Sequence, residues 1–127
     1  MVNLIKDSER GDLMAFDTID VPFYVKRIFV VNNVPQYEKR GEHAHIENEQ
    51  MLVCLNGIID LWISKNGMYF TPMRLKKGDS FLIKKMFWAW QEYSGENSEL
   101  MVLCSHEYDK NDYITDFEEF KKLVNEN

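Results

Sequence analysis

The sequence RGEHAHIENEQMLVCLNG occupies residues 40–57, and the fold of the whole chain is built around it. It holds two of the three histidines in the 127-residue chain, His43 and His45. Their i, i+2 spacing places both side chains on one face of an extended strand, with their roots roughly 6 to 7 Å apart. Two imidazoles at that separation converge on one small molecule or on one metal ion.

Short apolar runs separated by turn residues flank this stretch. Asn56-Gly57 lies between MLVCL and IIDLWISK and is the strongest short-range signal for a type I′ hairpin. Asn66-Gly67 and Lys77-Gly78-Asp79 predict further turns before SFLIKK and MFWAWQEY. Residues 22–33, PFYVKRIFVVNN, are rich in β-branched and aromatic residues and predict one long strand. About nine short strands without βαβ alternation predict an all-β roll of two sheets.

The hydrophobic period changes only near the end of the chain. Apolar residues recur there at helical spacing, at Ile114, Phe117, Phe120, Leu123 and Val124. Thr115 and Glu118 have the spacing of a capping box. We therefore expect a C-terminal helix of about ten residues that packs on the sheet.

Composition limits the classes of protein to consider. The length suits a single domain over residues 1–127. The net charge is −6 and no dense Lys/Arg cluster is present, so a nucleic-acid partner is not expected. No apolar run approaches a membrane span, and the first residues lack a secretory signal, so we expect a cytoplasmic protein with no membrane partner. Cys54 and Cys104 lie in apolar runs and are expected to be reduced, buried thiols.

The residues alone leave three interpretations of Gly41-x-His43-x-His45-x-x-x-Glu49. The first is a pair of polar side chains on an exposed strand. The second is a metal site, because the pattern resembles the first sequence motif of the cupin superfamily, in which two His, a Glu and a later His bind a divalent ion. That later His is missing between Leu75 and Glu92, so the pattern favours a cupin fold without the cupin metal.

The third interpretation is acid/base chemistry without a metal. Histidines titrate near neutrality, and a pair on one face suits moving a proton between neighbouring carbons of a ketose. Glu49 would orient a ring nitrogen if the strand stays regular, and is otherwise solvated. Arg40 suits bidentate contact with a phosphate or a structural carboxylate pair. Lys26-Arg27 marks either a solvated sheet face or a charge directed at a ligand.

Over nearly its whole length the chain resembles the sugar 3,4-ketoisomerases, small cupin proteins that act on nucleotide-linked 4-keto-6-deoxyhexoses. The resemblance implies a cupin-type double-stranded β-helix, or jelly roll, with one short C-terminal helix. It rests on Arg10-Gly11-Asp12-Leu13, Pro22-Phe23, Lys26-Arg27, residues 40–45, residues 49–57, and the tail blocks Leu100-Met101-Val102-Leu103, Tyr108-Asp109, Asp112-Tyr113-Ile114 and Phe120-Lys121-Lys122.

The resemblance implies a TDP-linked 4-keto-6-deoxy sugar that is converted to its 3-keto isomer through an enediol. It implies deoxysugar biosynthesis for surface polysaccharide, such as O-antigen of lipopolysaccharide, with neither cofactor nor metal. His43 would be the base at C3, His45 would move a proton between the two oxygens, and Arg40 would position the substrate or its diphosphate. Relatives are homodimers that exchange N-terminal strands, so residues 22–33 would pair with another chain.

The chain departs from the family pattern at three positions. Ile46 stands where a Lys is preferred and Phe29 where a Tyr is common. Phe87-Trp88-Ala89 stands where the family commonly has Trp-His-Glu or Trp-Arg-Glu, so the indole of Trp88 replaces a polar residue near the sugar. Trp88 would either stack on sugar or base or fill the core. The expected substrate-binding set is Arg27, Phe29, Arg40, Glu49 and Trp88.

Two rival functions remain open from the sequence. The first is a non-catalytic nucleotide-sugar-binding cupin that holds its ligand with Arg40 and Trp88. The second is a metal-dependent cupin enzyme that uses His43, His45 and Glu49.

Overall fold

The computed structural model describes residues 2–7 and 9–126, which form strands and one α-helix. The strands are β1 Val2–Asp7, β2 Gly11–Phe16, β3 Arg27–Val31, β4 Lys39–His45, β5 Gln50–Asn56, β6 Ile58–Ser64, β7 Thr71–Lys76, β8 Ser80–Ile83, β9 Trp88–Tyr93, β10 Glu99–Cys104 and β11 Tyr113–Ile114. The helix α1 spans Phe117–Asn125, and short 3₁₀ turns cover Thr18–Asp20 and Lys110–Asp112.

Two antiparallel sheets form the body of the protein. One has four strands in the order β3-β10-β5-β8, and the other has five in the order β11-β4-β9-β6-β7. β1 and β2 pair only with each other as a two-stranded sheet. This arrangement confirms the predicted all-β roll of two sheets with a short C-terminal helix.

The core lies between the inner faces of the two sheets. It includes Leu52 and Cys54 of β5, Leu61 of β6 and Val102 and Cys104 of β10, each at most 3% exposed. Burying each leucine side chain contributes about 1.5 to 3 kcal/mol to folding. Both cysteines are buried and free, as predicted, and burial raises the pKa of Cys54 to about 11.

The predicted hairpin at Asn56-Gly57 is wrong. β5 and β6 belong to different sheets, so this pair is a corner at which the chain crosses from one sheet to the other. Gly57 has φ +74°, and its neighbour Ile58 donates its N–H to Ser98 Oγ at 3.1 Å. The local turn signal was correct, but it carried no information about which strands pair. At Asn66-Gly67 the expected turn is present, and the two strands on either side of it, β6 and β7, pair with each other.

The long strand predicted over residues 22–33 is shorter in the structure. Only Arg27–Val31 is a strand, while Phe23 and Val25 pack against the outer face of the four-stranded sheet. β3 pairs with β10 of the same chain, with Phe29 opposite Val102. The expected pairing of residues 22–33 with another chain stays a prediction, since β3 is an edge strand of its sheet and pairs on one side only in the described part of the chain.

The C-terminal helix is confirmed, with a different cap. Asp116 Oδ1 accepts hydrogen bonds from the N–H groups of Glu118 at 2.9 Å and Glu119 at 3.2 Å, so Asp116 and not Thr115 caps the helix. Phe120 is fully buried and packs α1 on the outer face of the five-stranded sheet. None of the helices in residues 2–7 and 9–126 is long and apolar enough to cross a bilayer.

Candidate active site

A cavity of about 480 Å³ lies between the two sheets. Strands of both sheets contribute to its wall, with aliphatic side chains such as Leu52 and Val102 among the polar ones. The polar side chains in its lining are Arg27, Arg40, His43, Gln50, Gln91, Tyr93 and Tyr113. The cavity lining therefore combines aliphatic side chains with polar groups that can orient a ligand, as expected for a small-molecule site.

The histidine pair belongs to β4, where the strand is irregular. Gly41 and Glu42 both have positive φ, +97° and +58°, and the register with β9 shifts between Gly41 and His43. Beyond this bulge the imidazoles of His43 and His45 meet edge to face, with ring centroids 4.9 Å apart. The prediction that both side chains share one face of a strand is confirmed.

The hydrogen bond of His43 fixes its tautomer. Nδ1 lies 3.0 Å from the carbonyl oxygen of Gly41. A carbonyl can only accept, so Nδ1 carries the hydrogen and Nε2 of the neutral ring keeps a free lone pair. Burial lowers the pKa of His43, and the Gly41 hydrogen bond opposes this only in part. His43 is thus a neutral base near pH 7.

His45 is deeper and has a charged partner. Its Nδ1 lies 3.0 Å from Oδ2 of Asp112, and Nε2 is a buried atom without a hydrogen-bond partner in the described part of the chain. Burial and the neighbouring His43 lower the pKa of His45 to about 4, against the opposing effect of Asp112. His45 is therefore neutral across the physiological range.

Asp112 and Tyr113 are site residues that the sequence analysis missed. β11 pairs with β4, with Tyr113 opposite His45. The Tyr113 ring lies 4.9 Å from the His43 ring and 4.4 Å from the His45 ring. Both residues belong to the tail block Asp112-Tyr113-Ile114, which was the one available signal, but their pairing with β4 spans more than sixty residues.

Arg27 and Phe29 lie at the cavity because inward and outward residues alternate along β3. Both side chains line the cavity, while Ile28 is 59% exposed on the other side. The Arg27 guanidinium carbon is 4.7 Å from the Phe29 ring centroid. Lys26 is exposed. Lys26 therefore fits the interpretation as a solvated face, and Arg27 fits the interpretation as a charge directed at a ligand.

Arg40 also reaches the cavity, near its solvent-exposed side. The residue is exposed and lines the cavity, with Gln91 opposite it on β9. The preceding Lys39 points away, and its Nζ lies 4.3 Å above the Trp90 ring. Arg27 and Arg40 thus give this cavity two cationic side chains in a chain whose net charge is −6.

Trp88 does not line the cavity, where its expected role in substrate binding would place it. It is 5% exposed and packs on Phe117 and Phe120 of α1, with ring centroids 5.0 and 5.5 Å away. The alternating residue Ala89 faces the core between the sheets. In the structure Trp88 therefore fills the core, which was the other role considered for it.

Glu49 is also absent from the cavity lining, because β4 ends at His45 and the strand does not stay regular. Its Oε2 accepts a hydrogen bond from the Lys85 N–H at 3.3 Å. The structure thus does not bring Glu49 to the cavity, where its expected role in substrate binding would place it.

The cupin metal ligands do not assemble in this chain. Glu49 accepts a hydrogen bond from the Lys85 N–H, and β9 contains no histidine, with Ala89 opposite His43. Within residues 2–7 and 9–126, no group of three or more His, Cys, Asp or Glu side chains is arranged to hold a metal ion. The residues present do not fit the cupin metal.

Known proteins match this chain over nearly its full length. The family model FdtA, described as WxcM-like, C-terminal, matches residues 1–125. The TDP-4-oxo-6-deoxy-alpha-D-glucose-3,4-oxoisomerase of Aneurinibacillus thermoaerophilus is 30% identical over 116 residues, which cover 91% of this chain and 84% of that protein.

Solved structures agree with this match. A 3,4-ketoisomerase from Helicobacter canadensis superimposes with a TM-score of 0.87 at 30% identity, covering 98% of this chain and 94% of that one. A mutant of the 3,4-ketoisomerase QdtA from Thermoanaerobacterium thermosaccharolyticum, in complex with TDP-4-keto-6-deoxyglucose, superimposes with a TM-score of 0.84 at 27% identity, covering 97% and 93%. The chain therefore belongs to the FdtA family, that of the cupin-type sugar 3,4-ketoisomerases.

Proposed function

We propose that this chain converts a TDP-linked 4-keto-6-deoxyhexose to its 3-keto isomer. One observation supports the proposal most strongly: two neutral imidazoles share one strand face, His43 in the cavity lining and His45 buried beside it, each with Nδ1 held by an acceptor. Such a pair supplies two proton-transfer groups to adjacent atoms of one substrate. The activities of the related oxoisomerase and 3,4-ketoisomerase support the same reaction.

The proposed steps conserve atoms and electrons within the sugar. His43 Nε2 removes the C3 proton, and the electrons of that bond form the C3–C4 double bond while the carbonyl electrons move to O4. His45 takes the proton of the C3 hydroxyl and delivers it to O4. The protonated His43 then returns its proton to C4 as O3 becomes the carbonyl oxygen. The keto group moves by one carbon, and no external oxidant or reductant takes part.

The cavity also offers groups for the rest of the ligand. Arg27 and Arg40 are suited to the diphosphate, since guanidinium groups bind phosphate oxygens in a bidentate manner. The Phe29 ring, with Arg27 above it, and the Tyr113 ring give flat apolar surfaces for the sugar or the base. We keep Arg27, Phe29 and Arg40 as substrate-binding residues and add Tyr113.

The reaction is tested by incubating the protein with TDP-4-keto-6-deoxyglucose and following the sugar resonances by NMR, with binding measured by calorimetry. We expect many turnovers to a 3-keto product, unchanged after dialysis against EDTA. Binding without turnover would contradict the proposal and indicate a binding module. Turnover that EDTA abolishes and added metal restores would indicate a metal-dependent enzyme.

We further propose a homodimer in which the β1–β2 hairpin is the exchanged element. The hairpin joins neither large sheet, and an isolated two-stranded hairpin is marginally stable in water. Leu13 of β2, Ile19 and Tyr24 are 56%, 89% and 91% exposed, which supports a covering partner. Light scattering coupled to size-exclusion chromatography should give twice the mass of the 15.1 kDa chain, whereas a monomer at micromolar concentration would contradict the dimer.

We also place the reaction in deoxysugar biosynthesis in the cytoplasm. The free, buried thiols of Cys54 and Cys104 support a reducing compartment. Fractionation of the producing cells, with activity measured in each fraction, tests this placement, and activity confined to a secreted fraction would contradict it.

A further inference from the structure

We propose that Asp112 is a positioning residue for the isomerisation, because it holds His45 with its hydrogen on Nδ1 and leaves the Nε2 lone pair for the oxygens of the substrate. The inference rests on the proposed function for its catalytic half. The tautomer of His45 can be measured without any substrate.

The hydrogen bonds of Asp112 make its carboxylate a fixed acceptor. Oδ2 faces His45 Nδ1 at 3.0 Å and also accepts the N–H of Asn48 at 3.1 Å. Oδ1 accepts the N–H of Glu47 at 2.8 Å. An ionised carboxylate has only acceptor sites, so the hydrogen between Asp112 and His45 belongs to the imidazole. His45 Nε2 is then the nitrogen without a hydrogen.

Backbone hydrogen bonds fix the position of Asp112 relative to β4. The carbonyl oxygen of Asp112 accepts the N–H of Ile46 at 2.9 Å, and the next residue, Tyr113, pairs with His45 in the sheet. Asp112 also ends the 3₁₀ turn Lys110–Asp112, which the side chain of Asp109 caps through the Asn111 N–H at 2.9 Å. The segment after β4 and the segment before β11 are thus joined through one carboxylate.

A second effect follows when His45 takes up a proton. The imidazolium formed at Nε2 is buried, with His43 on its own strand and Arg27 on β3 both disfavouring a further positive charge. The third side chain that faces His45 is the aromatic ring of Tyr113. In the described part of the chain, Asp112 is the group that opposes these effects, through its hydrogen bond and its charge. Its carboxylate therefore stabilises the transient cation as well as the tautomer.

The experiment uses two variants and one control in the full-length protein. Asp112→Ala removes the acceptor and the charge, and Asp112→Asn removes the charge with nearly the same shape. Asp109→Asn changes a carboxylate in the same loop that caps Asn111. The tautomer of each histidine is read from ¹⁵N chemical shifts of the imidazole nitrogens, and kcat and KM are measured with the TDP-linked 4-keto sugar.

We expect wild-type His45 to carry its hydrogen on Nδ1, and Asp112→Ala to shift it to Nε2 or to a mixture. We expect kcat of both Asp112 variants to fall by roughly 10²- to 10⁴-fold, as when the orienting carboxylate of a catalytic histidine is removed. KM should change little, and Asp109→Asn should match the wild type. A loss of stability alone would not move the tautomer.

Wild-type His45 protonated on Nε2 would overturn the proposal, as would an Asp112→Asn variant with wild-type kcat. If Asp112→Ala fails to fold, the wild-type tautomer and the Asp112→Asn rate still decide the question. If the wild-type protein does not turn over the sugar, the proposed function and the catalytic part of this inference are both contradicted. The ¹⁵N chemical shifts of His45 would still test its tautomer.

Discussion

The imidazole rings of His43 and His45 meet edge to face, with their centroids 4.9 Å apart and their planes at 89°. At this distance a proton on one ring disfavours a proton on the other, and the proximity of His43 contributes to the low pKa of His45. Both rings are therefore neutral in the free protein near pH 7, as two groups that take protons from a substrate must be.

Replacing His43 should abolish most of the activity without unfolding the protein. His43→Asn keeps a polar side chain of similar size but removes the base, so we expect kcat to fall by roughly 10²- to 10⁴-fold. Steady-state kinetics with the TDP-linked 4-keto sugar measure this effect, and a thermal melt checks the fold.

His106→Asn is the matched control for that variant. His106 is exposed, and its ring contacts Ser105 at 2.8 Å. The control should turn over at the wild-type rate. A near-normal rate in His43→Asn would remove His43 from its role as the base.

The pH dependence should reflect the lowered pKa values of both histidines. The base must be unprotonated, so kcat/KM falls as pH decreases through its pKa. Burial lowers the pKa of His43 below 6.5 and, together with the neighbouring His43, lowers the pKa of His45 to about 4. We expect kcat/KM to be flat at and above pH 6.5 and to fall only below it. An acid limb centred at or above pH 6.5 would contradict this assignment.

The same shift predicts a change in stability. A histidine whose pKa is lower in the folded state contributes stability that is present above pH 6.5 and is lost as pH falls toward 4. Relative to His45→Gln, the wild type should lose up to about 1.4 kcal/mol per pH unit over this range. Denaturant unfolding at several pH values measures the difference, and two parallel curves would argue against a buried neutral His45.

The sequence correctly predicted the features that depend only on local residue spacing. The i, i+2 spacing of His43 and His45 sets their common face, because alternation in a strand is a local property. The alternation of Trp88 and Ala89 was equally clear, but local spacing does not reveal which face meets α1. The Asn56-Gly57 turn was located correctly and its strand pairing was not, since pairing depends on the arrangement of both sheets. Asp112 reaches His45 only through the long-range pairing of β11 with β4.

Trp88 should matter for stability and not for substrate binding. Trp88→Ala would leave a cavity beneath Phe117 and Phe120 and cost about 3 to 5 kcal/mol in the free energy of unfolding. The milder Trp88→Phe keeps an apolar ring, and its KM for the nucleotide sugar should equal that of the wild type. Denaturant unfolding measures the stability lost in Trp88→Ala, and steady-state kinetics measure KM in Trp88→Phe. A raised KM in a stable Trp88→Phe protein would restore Trp88 as a binding residue.

Replacing Gly57 should destabilise the protein more than replacing Gly11, although both glycines have positive φ. A Cβ at Gly57 would lie 2.7 Å from Ser98 Cα, so Gly57→Ala combines backbone strain with a clash and should cost roughly 2 to 5 kcal/mol. At Gly11, where φ is +98°, a Cβ would meet no described atom within 4 Å. Gly11→Ala should therefore show the backbone strain alone, about 1 kcal/mol. Equal losses in the two variants would refute the clash with Ser98.

Solvent isotope exchange tests the central claim, that His43 moves a proton at C3 of a 4-keto sugar, most directly. The wild-type protein and His43→Asn are each incubated with TDP-4-keto-6-deoxyglucose in deuterated water, and NMR follows the C3 and C4 positions. We predict that the wild type incorporates deuterium as the 3-keto isomer forms, while His43→Asn binds the sugar and exchanges at least 100-fold more slowly, roughly the contribution of a general base. Binding without exchange in the wild type, or equal exchange in both proteins, would contradict the account.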